Sequence, residues 1–303
     1  MKIKRRYVYI FCLILVVLGL FLFYRYQSTQ VYSFHDHTFA YSSSREPPTF
    51  STTLIEQNVS YNVYHVTFES RPLLDQSTTM YGLLFLPHES NVPGVVLLPG
   101  GGVKKESEAK VARIIAKEGF AVLTIDQRGI GETGGVYLDL ERDYHVFQQG
   151  KEPVQHLSVY DALATFDVLR HVDTIDKNNI VMAGESMGGR YALIAGALDH
   201  RLKGVVAISS SGFHFTEDMP YADYLLSVDP DHYIANISPL PLAMIHGTND
   251  TTIPLANAQQ TFGFAQEPKR FFTVEGCGHG YCEKMHDALI SSLKEMTGHN
   301  IYN

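Results

Sequence analysis

Three regimes of polarity succeed one another along the chain. Tyr7 to Tyr24 is an unbroken apolar run without a charge. As a helix it would extend roughly 27 Å, close to the hydrocarbon thickness of a bilayer. Gln27 to about Phe50 is polar, with Ser42-Ser43-Ser44 and Pro47-Pro48, and reads as a linker, part of which can pack as an extra strand. From about Thr52 onward, short β-branched runs alternate with stretches of helical period.

Tyr61–Glu69 and Thr79–Leu86 predict an antiparallel hairpin at a sheet edge. Gly94–Leu98, Phe120–Ile125, Ile180–Ala183, Val205–Ser209, Pro241–Ile245 and Arg270–Val274 read as short buried strands. Between them, Glu106–Glu118 puts Ala109, Ala112, Ile115 and Ala116 on one helical face and stops at Gly119. Ser158 is placed to cap a helix through His171, with Asp161 at its third position and Val159, Leu163, Phe166 and Leu169 inward. Helices are also expected from Gly189 and over about Tyr281–Met296. This alternation implies an α/β fold: a mostly parallel twisted sheet with helices on both faces and an antiparallel hairpin in front. Two long, aromatic-rich connections, Gly134–His156 and Gly212–Ile237, are expected at the carboxyl edge of the sheet, where such loops shape a substrate pocket. Neither is long enough for a large cap domain.

The densest chemical signal is Gly184-Glu185-Ser186-Met187-Gly188. It reads G-x-S-x-G, with a strand leading in and a helix leading out. That context puts a serine hydroxyl on a sharp turn at the sheet edge. A serine needs a base to take its proton and a carboxylate to orient that base. Asp250 comes after the strand Pro241–Ile245 in His246-Gly247-Thr248-Asn249-Asp250, and His279 comes after the strand Arg270–Val274 in Gly276-Cys277-Gly278-His279-Gly280. The order Ser186, Asp250, His279, each past the carboxyl end of a strand, is where an open α/β sheet carries its site. An oxyanion hole requires two backbone N–H groups. Met187 supplies one, and Pro99-Gly100-Gly101-Gly102 the other, through Gly101.

These residues resemble the α/β-hydrolase superfamily from about Thr52 to the C-terminus. Pro99-Gly100-Gly101-Gly102 stands where many members have His-Gly-Gly-Gly, and Asp126-Gln127-Arg128-Gly129-Ile130-Gly131 is similar to the D-x-R-G-x-G loop. The leading hairpin, H-G-x-x-D and G-x-G-H resemble the dienelactone-hydrolase-like and prolyl-oligopeptidase-like branches. The resemblance implies a serine hydrolase with a Ser-His-Asp triad, an acyl-enzyme intermediate and no cofactor.

Other residues change the picture less. Asp126 and Arg128 read as a structural ion pair, His246 as a scaffold histidine, and Glu185 as a packed, non-catalytic position. His35 and His37 lack further ligands at metal-binding spacing, so no metal is expected. The net charge of −8 argues against a nucleic-acid partner. Lys2, Lys4, Arg5 and Arg6 precede the apolar run and Arg25 alone comes directly after it, which orients the N-terminus to the cytoplasm. The expected organisation is a signal-anchor over 1–26, a linker over 27–51 and a catalytic domain over 52–303, lying extracytoplasmic on a single-pass cell-membrane anchor. A cleaved signal peptide is the alternative. Cys277 and Cys282 bracket His279; they either bridge, as an oxidising compartment permits, or stay apart because a helix from Tyr281 separates them.

The reading is therefore a membrane-anchored hydrolase of a small-molecule carboxylic ester or related acyl bond. A serine exopeptidase of prolyl-oligopeptidase type and a non-catalytic binding protein on the same scaffold are its rivals. The residues do not specify acyl group, leaving group or oligomeric state.

Overall fold

The structure is a computed structural model, and it describes Tyr9, Cys12–Leu15 and residues 31–73 and 76–299. The described residues fall into two compact units divided between Glu46 and Pro47. The expected membrane-spanning run lies outside the described residues except at Tyr9 and Cys12–Leu15, which are helical. Among the described residues no helix is long and apolar enough to cross a membrane.

In the first unit, the segment read as a linker contains a hairpin, β1 (Tyr32–His35) paired antiparallel with β2 (Thr38–Tyr41). Its two-residue turn places Asp36 and His37 at positive φ, and Tyr32, Phe39 and Tyr41 cluster their rings. The serine-rich composition of the segment concealed this alternation.

The second unit holds a nine-stranded sheet. An antiparallel meander leads: β3 (Phe50–Gln57), β4 (Tyr61–Leu73) and β5 (Gln76–Pro87). Six parallel strands come next: β6 (Val92–Leu98), β7 (Ala121–Ile125), β8 (Ile175–Glu185), β9 (Gly204–Ile208), β10 (Leu242–Gly247) and β11 (Lys269–Val274). The spatial order is β11-β10-β9-β8-β6-β7-β5-β4-β3. The chain steps from β6 to β7 in one direction and returns to β8 on the other side of β6. The loops after β6 and β8 therefore diverge from adjacent strands, and the crevice between them is where an open sheet binds its ligand.

One face of the sheet packs Val95, Leu97, Val181, Ala183, Val206, Ile208, Ala243 and Ile245 against α1 (Ala109–Lys117) and the C-terminal helix His286–Thr297. Along β9 the alternate side chain of Val205 faces the other way. There Gly196 of the helix after β8 comes so close that a Cβ would stand 2.2 Å from a Val205 methyl.

Both long connections fold into helices rather than open loops. The first holds α2 (Leu140–Gln148) and leads into α3 (Val154–Leu169); the helix after β8 is α4 (Met187–Leu198); the second long connection holds α5 (Ala222–Ser227). Tyr144 of α2 packs on Tyr221 with ring centroids 4.1 Å apart, and Tyr224 donates to Asp143 Oδ2 at 2.8 Å. Asp143 also accepts the N–H groups of Val154 and Gln155, so it caps α3 from eleven or twelve residues away. That corrects the expected start at Ser158, whose hydroxyl instead bonds back to Val154 O. α6 (Leu255–Phe264) comes after β10, and α7 is His286–Thr297. The last helix thus begins five residues later than Tyr281, after a 3-10 turn at Glu283–Met285.

Candidate active site

The elbow is built by close backbone contact. Ser186 has φ 54° and ψ −115°, a conformation that costs a non-glycine residue about 1–3 kcal/mol. Two flanking glycines make it possible: a Cβ on Gly184 would lie 2.3 Å from Gly188 O, and one on Gly188 would lie 2.3 Å from Leu98 O. The turn is pinned by Ser186 N–H donating to Ile208 O at 2.9 Å and by Ser210 Oγ donating to Ser186 O at 2.8 Å.

Register brings the other candidates alongside. Leu98 pairs with Gly184, so the glycine loop leaves the sheet beside the elbow. Gly247 pairs with Val274, so the loops bearing Asp250 and His279 emerge together. Between them Asn249 N–H donates to Cys277 O at 2.8 Å. His279 Nε2 lies 2.9 Å from Ser186 Oγ, and His279 Nδ1 lies 2.9 Å from Asp250 Oδ2. The Asp250 side chain is fully buried, while that of His279 is about a quarter exposed. Asp250 Oδ1 accepts Thr252 N–H at 2.9 Å and Ile253 N–H at 2.8 Å, which aims Oδ2 at the imidazole. Buried His246 stands 3.4 Å from that same oxygen and holds Ile253 O at 2.8 Å through Nε2. This arrangement can move a proton from a serine hydroxyl to an imidazole and hold the resulting cation beside a carboxylate.

Gly101 and Met187 are neighbours; a Cβ on Gly101 would meet Met187 Cβ at 3.5 Å. Among the described hydrogen bonds none uses the N–H of either residue.

Cys277 and Cys282 form a disulfide, with Cα atoms 6.1 Å apart. The helix expected to hold them apart starts beyond both, and Gly280 at φ 84° turns the chain between them. Asp126 and Arg128 do not pair with each other. Asp126 binds buried Lys105, Nζ to Oδ2 at 2.8 Å, and accepts the N–H groups of Lys105 and Glu132. Arg128 makes a bidentate pair with Asp161 of α3 at 2.7 and 2.8 Å and donates to Arg71 O and Thr78 Oγ1. Each of the two instead finds a partner remote in sequence. Gln127, between them, donates to Pro99 O at 2.8 Å and props the glycine loop. The supporting groups Lys105, Asp161 and Gln127 carry no local motif that would single them out. Among the described residues no cluster of His, Cys, Asp and Glu is arranged to hold a metal.

The sequence model of the dienelactone hydrolase family matches residues 80–298. The uncharacterized protein YfhR of Escherichia coli (strain K12) is 25% identical over 224 residues, covering 68% of this chain and 73% of that protein. A thiohydrolase of Eupenicillium brefeldianum is 30% identical over 131 residues, 43% of this chain and 38% of its own. Among solved structures, an acetyl xylan esterase from Paenibacillus sp. R4 superposes with a TM-score of 0.68 at 20% identity, covering 82% of this chain and 89% of its own. A glucuronoyl esterase from Solibacter usitatus superposes with a TM-score of 0.60 at 15% identity, covering 85% and 88%. With the α/β-hydrolase fold in place and the family match spanning most of the parallel sheet, the chain belongs to the dienelactone hydrolase family and is a serine hydrolase of the ester-cleaving kind.

Proposed function

We propose that the protein hydrolyses a small carboxylic ester with Ser186 as nucleophile, His279 as general base and acid, and Asp250 as the group that orients His279. The observation that carries this reading is the continuous hydrogen-bonded chain from Ser186 Oγ through His279 to Asp250 Oδ2, both links 2.9 Å. Ser186 Oγ attacks the ester carbonyl as its proton passes to His279 Nε2. The negative charge that develops on the carbonyl oxygen is met by the N–H groups of Gly101 and Met187, the latter at the N-terminus of α4. His279 returns the proton to the departing alkoxide, leaving an acyl group on Ser186. A water then gives a proton to His279 as its oxygen attacks the acyl carbon, and His279 passes that proton to Ser186 Oγ as the acyl–Oγ bond breaks and the acid leaves. The esterase neighbours in fold support an ester over an amide.

The proposal includes a tether through Tyr7 to Tyr24 with the catalytic domain outside the cytoplasm. The basic residues before that run support the orientation, and the Cys277–Cys282 disulfide supports an oxidising compartment.

A fluorophosphonate probe tests the chemistry. It is expected to label the protein and to fail on Ser186→Ala, which should melt within a few degrees of the wild type and lose on the order of 10³-fold or more in kcat. Equal labelling of the variant refutes the assignment. A series of nitrophenyl esters of increasing acyl length then reads the size of the acyl site. Protease added to intact spheroplasts is expected to remove the domain, and protection of the domain refutes the topology.

A further inference from the structure

The glycine loop is anchored at both ends but not in its middle. Before it, Gln127 Nε2 donates to Pro99 O at 2.8 Å; after it, Lys105 N–H donates to Asp126 Oδ1 at 2.8 Å. Gly101 and Gly102 between them have no side chains with which to hold a position, and Gly102 sits at φ 73°. What Gly101 rests on is the side chain of Met187. A Cβ on Gly101 would meet Met187 first, Cε at 3.2 Å and Sδ and Cβ at 3.5 Å.

Met187 in turn lies against Tyr191, four residues on along α4. Side chains at that spacing share a helix face and lean toward the N-terminus, here toward the elbow. The Tyr191 hydroxyl donates to Gln155 Oε1 at 2.8 Å, and its oxygen stands 3.2 Å from Met187 Sδ. Tyr191 and Gln155 are both buried, so neither can exchange its partner for bulk water without loss. Gln155 is itself fixed at the first turn of α3, where Asp143 Oδ2 accepts its N–H at 2.9 Å and the Tyr224 hydroxyl at 2.8 Å. A continuous series of contacts thus runs from α5 through the start of α3 to the side chain beside Gly101.

We propose that Tyr191, held by Gln155, is a positioning residue: its hydroxyl fixes the Met187 side chain, which backs the glycine loop so that the Gly101 and Met187 N–H groups converge on one point. The proposal rests on the serine-hydrolase reading. A methionine has three rotatable bonds and fits many gaps, so without a partner for its sulfur Met187 would not hold one shape. An oxyanion hole, however, is effective to the extent that its donors are already aimed when charge develops. The Tyr191 contact selects one Met187 conformation and, through it, one position of Gly101.

The test is kcat and KM on nitrophenyl acetate, with the inhibition constant of phenylboronic acid, for the full-length wild type, Tyr191→Phe, Met187→Leu and the double variant, each beside a melting curve. Bonded to Ser186, the boronate is tetrahedral and puts one oxygen where the oxyanion forms, so its affinity reads the hole directly. Removing an oxyanion donor outright costs about 10²–10³-fold in kcat, and a donor left in place but loosened should cost about tenfold. Tyr191→Phe should therefore lose about tenfold in kcat, keep KM within about twofold and bind the boronate about tenfold more weakly. Met187→Leu keeps its backbone N–H but lacks the sulfur, and should lose a similar factor. Adding Tyr191→Phe to Met187→Leu should change kcat by less than about twofold, because the hydroxyl acts only through Sδ. A Tyr191→Phe variant that melts lower but keeps the wild-type kcat makes these residues a tie between α3 and α4 and overturns the proposal. A double variant in which the two losses multiply also overturns it. Should Tyr191→Phe fail to fold, Met187→Leu decides, and wild-type kcat in that variant overturns the proposal. A wild type that turns over no ester and takes no fluorophosphonate overturns the serine-hydrolase reading, and this proposal with it.

Discussion

Asp250→Asn is the sharpest probe of the proposed proton path, because the structure dictates which way the new amide must turn. The Oδ1 position faces two backbone donors, Thr252 N–H at 2.9 Å and Ile253 N–H at 2.8 Å. The Oδ2 position faces His279 Nδ1 at 2.9 Å and His246 Nε2 at 3.4 Å. An NH₂ placed at the first position would confront two donors that cannot change. Placed at the second, it confronts His279, which can change tautomer, and the more distant His246, whose Nε2–H is already given to Ile253 O at 2.8 Å. The amide oxygen therefore takes the turn, and the NH₂ donates to His279 Nδ1. The imidazole proton is driven to Nε2, where it points at Ser186 Oγ and blocks acceptance of the serine proton. For a triad in the wrong tautomer the expected loss is about 10⁴-fold in kcat, or about 5.5 kcal/mol of barrier. The fold should survive: exchanging a charged acceptor for a neutral one in the Asp250 turn weakens its bonds by about 2 kcal/mol in all, a drop of roughly 6 °C for a domain of this size. The assay is kcat on nitrophenyl acetate at pH 7 beside a melting curve. A folded variant within tenfold of the wild type refutes the proton path.

Three further outcomes are expected. Reducing the Cys277–Cys282 disulfide should lower kcat severalfold, because the bridge closes the loop carrying His279 and Cys277 O holds Asn249 beside Asp250; stability should fall by no more than about 2 kcal/mol, and unchanged turnover in a Cys277→Ser/Cys282→Ser variant would refute the coupling. Burial pushes His156 down to about 3, so the unfolded chain takes up a proton that the fold excludes; below about pH 6.5 this residue should cost roughly 1.4 kcal/mol per pH unit, and His156→Gln should show a shallower loss of melting temperature between pH 6.5 and 5. Arg128→Met should destabilise by about 3–5 kcal/mol by stranding buried Asp161, and adding Asp161→Leu should recover much of it; chemical denaturation of the single and double variants measures both, and a single variant as stable as the double would refute the pairing.

The parts of the fold that depend on neighbouring residues were legible along the chain alone. Strand, glycine turn and helix around Ser186 are consecutive, so the elbow was legible from one stretch of chain. Apolar runs of strand length separated by helical periods specified a parallel sheet. A parallel sheet places every strand's carboxyl end on one edge, which brought Asp250 and His279 into view before any coordinate. Whatever lay beyond local pattern was decided by partners distant in the chain. Asp143 caps α3 across the intervening loop, so Ser158, a good local cap, was passed over. Arg128 and Asp126 pair with Asp161 and Lys105 rather than with each other, because a buried charge must be matched by whatever group the fold delivers to it. The start of α7 at His286, and with it the Cys277–Cys282 bridge, was settled by how the base loop docks on Glu185 and Ser209, contacts made across the sheet edge. Local periodicity records which face of a segment is apolar; only closure of the sheet decides which polar groups are taken from water together, and that choice builds the surroundings of the site.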